Sequence, residues 1–225
     1  MKKDLINTFG GENWSGKGQW GEWRFETEKA GFYKLCFRYK QNYKSGAYAV
    51  RRLMIDGEVP FKEAEDIEFN YDLDWCVLTL GGDEPMYVYL EPGTHTLRLE
   101  VTYGNLDRVL SDVQECLDEM NVLYRNVMMI TGATPDSQRD YDIETALPDT
   151  PQLCKELSER LYSVIDRLVK NTGKKGSETA VPEKTAIQLA EFSNDVETIP
   201  QRLSAYNSNI SSLASWLISA KQQPL

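Results

Sequence analysis

Gly18-Gln19-Trp20-Gly21-Glu22-Trp23-Arg24-Phe25, followed after a short polar turn by Ala30-Gly31-Phe32-Tyr33-Lys34-Leu35-Cys36-Phe37-Arg38-Tyr39, decides how this chain folds. Tyr33, Leu35, Phe37 and Tyr39 share one parity while Lys34 and Arg38 take the other, the period-two pattern of a strand with one buried face. By the same rule Trp23 and Phe25 are expected in the core. Trp20, in step with Glu22 and Arg24, is expected on the opposite face.

Outward from this stretch the strand signals continue to about Tyr103. Leu53 and Ile55 lead into an Asp56-Gly57 turn, Met86 to Leu90 runs into Glu91-Pro92-Gly93, and Leu97, Leu99 and Val101 alternate with Arg98, Glu100 and Thr102. No helical segment intervenes, which favours an antiparallel sandwich over a parallel sheet with crossover helices.

After Gly104 the period changes. Leu106, Val109, Leu110, Val113, Leu117, Met120, Tyr124 and Val127 trace one helical stripe that ends before Gly132. A second helix is expected from Thr150-Pro151 through Leu157, Leu161, Val164, Ile165 and Leu168 to a stop at Gly173. A third should run from Ser177 to about Asn194, and a fourth from Thr198-Ile199-Pro200 onward, with Leu203, Tyr206, Ile210, Leu213 and Leu217 as its seam. The connection from Thr131 to Pro148 is long enough to hold a short helix around Tyr141 to Ala146. The expected fold class is α+β: an antiparallel β-sandwich over residues 1–104 and an antiparallel helical bundle over residues 105–225.

The chain carries 35 acidic and 25 basic residues, a formal charge of -10. That balance argues against nucleic acid and anionic membrane surfaces as partners. No segment has the roughly 18 consecutive apolar residues of a membrane span. Met1 to Leu5 is not followed by an apolar signal-peptide core, so no export signal is read in the chain. Cys36, Cys76, Cys116 and Cys154 are scattered without a CxxC pair or a histidine at metal-ligand spacing, so zinc is not expected. Free or buried thiols are the expectation, with Cys36 and Cys76 the first pair to test for a disulfide.

Several blocks together resemble a family of large extracellular solute-binding proteins of bacterial sugar ABC transporters. They include Gly10-Gly11-Glu12-Asn13-Trp14, Arg51 to Phe61, Leu99 to Leu106, Ile130-Thr131-Gly132, Arg139-Asp140-Tyr141, Gly176 to Ala180, Glu197 to Pro200 and Gln223-Pro224-Leu225. The resemblance implies an accessory region with a jelly-roll, galactose-binding-like or carbohydrate-binding-module-like sandwich. It also implies an apolar strand after Gln-Pro-Leu, which would make the helices an insertion and leave an open sandwich edge here. Cell-surface attachment through a parent lipoprotein would follow, with carbohydrate, other domains of the receptor and the transporter permease as partners. Such modules often hold a structural calcium. Neither end of this chain shows a dense Asp/Glu array for one, and no other cofactor is implied.

Sugars present apolar C-H faces rimmed by hydroxyls, so a site needs an exposed aromatic ring flanked by polar side chains. Three groups qualify: Trp14 with Asn13, Gln19 and Trp20; Tyr43 with Gln41, Asn42 and Tyr48; and Trp75 with Asn70, Tyr71, Asp72 and Asp74. Within them Trp14, Trp20, Asn42, Tyr43, Tyr48, Asp72 and Trp75 are the candidate ligand contacts, Trp20 foremost. Tryptophans at sandwich mouths also commonly just cover core edges.

Catalysis has less support. The only histidine, His95, has no Ser or Cys partner motif, and the catalytic alternative is a glycosidase with paired carboxylates. Thr172 to Ser177 lacks P-loop spacing and reads as a helix stop and restart, while Met120, Met128 and Met129 read as helix-seam filler. The expected function is non-catalytic, weak carbohydrate binding by an accessory module of a sugar receptor. The alternative is a structural or protein-interaction spacer, with a glycoside hydrolase third.

Overall fold

The computed structural model describes residues 8–43, 48–136, 138–172 and 175–225. Residues 1–7 and the Gly173-Lys174 helix stop lie outside them. The chain forms two compact units, one of Met1–Asp107 with Lys221–Leu225 and one of Arg108–Ala220. The last five residues thus rejoin the first unit after the helices, whereas the sequence assigns them to the helical half.

The first unit is an antiparallel sandwich. One sheet has the order β1 (Trp20–Thr27), β8 (Gly93–Thr102), β4 (Tyr48–Ile55), β5 (Ile67–Asn70). The other is built around the nearly continuous β2 (Gly31–Lys34) and β3 (Cys36–Tyr39), which pair with β7 (Tyr87–Leu90) and β6 (Cys76–Thr79) respectively. The Leu80 N–H donating to the Leu35 carbonyl joins the two pairings.

The parity read from the sequence holds along β2 and β3. Tyr33, Leu35, Phe37 and Tyr39 face a core containing Leu53, Phe69, Leu99 and Val101, while Phe32, Lys34, Cys36 and Arg38 are exposed. Phe37 and Tyr39 meet Phe69 edge-on across the layers at 6.0 and 5.0 Å. The expected turn forms at Asp56-Gly57, where positive φ angles of 51° and 86° give the twist that a two-residue hairpin demands.

Cys36 and Cys76 are free thiols. Cys36 is registered with Thr79 and Cys76 with Tyr39, so their side chains leave opposite faces of the sheet and the pairing raised from sequence is not available. Cys116 and Cys154 are buried.

The second unit holds α1 (Leu106–Thr131, its first two residues counted with the sandwich), α2 (Ile143–Ala146), α3 (Thr150–Thr172), α4 (Ser177–Asn194) and α5 (Leu203–Lys221). All five predicted seam residues of α5 are buried, as are Leu157, Leu161, Val164, Ile165 and Leu168 of α3. Polar ties fix the packing. Tyr206 donates from α5 to the Met120 carbonyl of α1 at 3.0 Å, and Asn209 donates to the Gln188 side chain of α4 at 2.7 Å. Arg160 of α3 pairs with Glu115 and Glu119 of α1. Met120 is seam filler as expected, but Met129 is 77% exposed because it lies two residues past the buried Val127, about 200° round the helix from the stripe.

Candidate functional site

Three features of the sandwich unit could meet a ligand. The largest is a cleft of about 800 Å³ bordered by Trp23, Phe37, Tyr39, Tyr43, Trp75 and Leu225, among others. Of the candidate contacts it gathers Trp14, Asn42, Tyr43 and Trp75, and leaves out Trp20, Tyr48 and Asp72.

Its lining is that of an uncovered core. Phe37, Tyr39, Phe69, Leu97 and Leu99 reach it from inward-facing positions, and the described residues that line it include no carboxylate side chain. Five consecutive residues, Cys36 to Lys40, border it, which strand alternation permits only along a strand's edge. β1 and β3 each have a strand partner on one side only among the described residues. Trp23 has core parity but is 41% exposed, against expectation, because it borders this uncovered cleft; the Phe9 and Trp14 rings sit 5.7 and 6.4 Å from its own.

Trp14 is not a platform. It is 4% exposed, with its Nε1 donating to the Gln19 carbonyl and the Arg51 guanidinium 4.1 Å from its ring centroid. Tyr48 is half-buried on β4 opposite Asn70, its hydroxyl pushed up to about 12 by burial and by Glu68. Gln41 is fully buried. The Asp72 carboxylate accepts from the Asp74 N–H at 2.9 Å, a turn contact.

The second feature is the outer face of the four-stranded sheet. Trp20 is 51% exposed there, as its parity predicts, and the Arg98 guanidinium lies 4.2 Å from its ring centroid. Glu22 holds Arg98 through two hydrogen bonds of 3.1 and 2.9 Å. Glu100 is registered with both Trp20 and Arg52, which places carboxylates and guanidinium groups around the indole.

The third is a smaller groove of about 420 Å³ beside His95, Asp56, Glu91 and Tyr89. His95 Nδ1 is 2.6 Å from the Asp56 carboxylate and Nε2 is 2.7 Å from the Glu91 carbonyl. Two acceptors call for two ring protons, and the Asp56 hydrogen bond raises the His95 pKa above its usual 6.5. Partial burial works against ionisation of Asp56, but hydrogen bonds from His95 and the Thr96 N–H hold it below its usual value. Sequence reasoning missed this pair because Asp56 sits in the turn after β4 and His95 on β8, 39 positions apart. No cluster of His, Cys, Asp and Glu suited to a metal ion occurs among the described residues.

A family model described as the bacterial solute-binding protein 4-helix bundle domain matches residues 108–223. The chain belongs to that family. The match coincides with the helical unit and runs into the tail that returns to the sandwich. This member of the solute-binding protein family has no match among curated proteins. Among solved structures it is similar to a cycloisomaltooligosaccharide glucanotransferase of Paenibacillus sp. determined with cycloisomaltoheptaose, at 25% identity. That match covers 45% of this chain and 13% of the enzyme, with a TM-score of 0.35. No described helix is long and apolar enough to cross a membrane.

Proposed function

We propose that this accessory module of a bacterial solute-binding protein is non-catalytic, that its receptor takes up sugars at the cell surface as a lipoprotein, and that it holds carbohydrate weakly on Trp20. The observation that carries the reading is the half-exposed indole, braced by Arg98 and Glu22 on an open sheet face. An aromatic ring rimmed by fixed polar groups suits a sugar's C-H face and hydroxyls. The commitment of both His95 nitrogens supports a non-catalytic role, since neither is free to act as a base.

Calorimetry against neutral oligosaccharides tests the reading. Trp20→Ala should weaken binding by roughly tenfold, about 1.4 kcal/mol, with the circular dichroism spectrum unchanged. Binding that survives this change removes Trp20 from the site.

The large cleft supports a different role. Its apolar lining, two single-sided strands and Leu225 at its border favour a berth for an apolar strand continuing from Leu225. The module would then also position the receptor's other domains, with the permease as a further partner. Adding the parent polypeptide's next residues should shift Trp23 fluorescence to the blue; an unchanged spectrum rejects this role.

A further inference from the structure

We propose that the outer face of the β2–β3/β6–β7 sheet binds an acidic polysaccharide. The four strands read GFYK, CFRY, CVLT and YVYL, without one acidic residue in a chain that carries 35. Their outward positions instead present Phe32, Lys34, Arg38, Tyr87 and Tyr89, with Trp75 adjoining β6. Phe32 is 74% exposed and meets Tyr89 edge-on at 5.3 Å, while Lys34 is registered with Tyr87. The Arg38 guanidinium lies 5.3 Å from the Trp75 ring centroid, which puts both side chains on this face. Neither Lys34 nor Arg38 is in an ion pair among the described residues. Tyr89 donates to Glu91, the carboxylate directly after β7, at 3.0 Å.

The chemistry follows from this arrangement. Aromatic side chains left in water on a flat sheet offer stacking surface for C-H faces, and uncompensated cations between them attract carboxylate or sulfate groups. Alternate outward residues recur every ~6.6 Å along a strand, so Phe32 to Arg38 extends about 20 Å, a length suited to several residues of a polymer. The charge of -10 repels polyanions in general, so binding depends on this local patch and weakens with salt. Two cations are too few for duplex nucleic acid, whose affinity rests on many phosphate contacts. The face is separate from Trp20, so this inference and the proposed neutral-sugar site stand or fall independently.

Affinity electrophoresis and calorimetry with polygalacturonate and its fully methyl-esterified, neutral counterpart provide the test. The acidic polymer should bind and the neutral one bind at least roughly tenfold more weakly, with the difference shrinking at high salt. Lys34→Gln with Arg38→Gln should remove the preference for the acidic form, and Tyr87→Ala with Trp75→Ala should weaken both. Equal binding of the two polymers overturns the proposal, as does the absence of binding to polygalacturonate. Equally tight binding of single-stranded DNA or phosphatidylserine vesicles also overturns it, because that would show general attraction to anions.

Discussion

The Arg51 guanidinium lies over the Trp14 ring, 4.1 Å from its centroid, and is itself fully buried. It donates to the carbonyls of Val50, Trp14 and Gln223 at 2.9, 2.9 and 2.8 Å. Burial pulls Arg51 down to about 9, so it is still charged at neutral pH. Three carbonyls and an aromatic face replace its water, and one side chain pins the 3-10 turn Gly11–Trp14, β4 and the returning C-terminal tail together.

Arg51→Leu strands those carbonyls and should cost about 2–4 kcal/mol, with Arg51→Lys recovering little because a single ammonium cannot reach the same fan of acceptors. Urea unfolding followed by tryptophan fluorescence measures the loss. Hydrogen exchange should show the Gln223 and Gly11 amides losing protection first, since the Gln223 N–H donates to the Ser15 carbonyl and the Gly11 N–H to the Leu225 carbonyl, and both bonds depend on the same anchorage.

The His95–Asp56 pair makes stability depend on pH. The His95 pKa is raised, so its contribution is fully present below the usual 6.5 and is lost as pH rises through the elevated folded value. The Asp56 pKa is lowered, so its contribution is present above the usual 3.8 and fades as pH falls through the depressed folded value. His95→Gln should flatten the alkaline side of a Tm profile between pH 6 and 8 and leave the bundle's helical signal intact. A profile identical to the parent's would show that the pair contributes nothing.

Thiol reactivity should divide by burial. Cys36 is exposed and should react promptly with a thiol reagent, whereas burial pushes Cys116 up to about 11 and Cys154 up to about 12. Those two should react only on unfolding. Four thiols titrating together in the native protein would contradict the helical packing.

In the bundle, Leu161→Ala should cost about 2–5 kcal/mol, because the residue is fully buried in α3. Met129→Ala should stay within about 0.5 kcal/mol, since its side chain stands in water near the end of α1. Thermal unfolding monitored by circular dichroism distinguishes them, and similar losses would mean that Met129 is covered in solution.

Much of the fold was legible from local pattern. Period two marked β2, β3 and β8, period three to four marked the long helices, and the boundaries at Gly132, Thr150 and Ser177 fell where capping and breaking residues put them. The candidate site was less legible. Trp14 and Trp75 look equivalent in sequence, both aromatic residues beside polar neighbours, yet one is enclosed by Arg51, Phe9 and Trp23 while the other stands exposed beside Arg38. Trp23 shows the converse, with the parity of a core residue and the exposure of a surface one.

What the sequence by itself determined is therefore the alternation and its change of period: which residues face inward along a strand or helix, and where each element stops. These follow from backbone geometry, which acts over a few residues. Only the tertiary structure decided what covers an inward face and what gathers on an outward one. It left Trp23 uncovered beside single-sided strands, joined His95 to Asp56, brought Gln223 to Arg51 and assembled Phe32, Lys34, Tyr87 and Tyr89 on one face. Those relationships depend on strand pairings and packing contacts between distant residues, which no local period encodes.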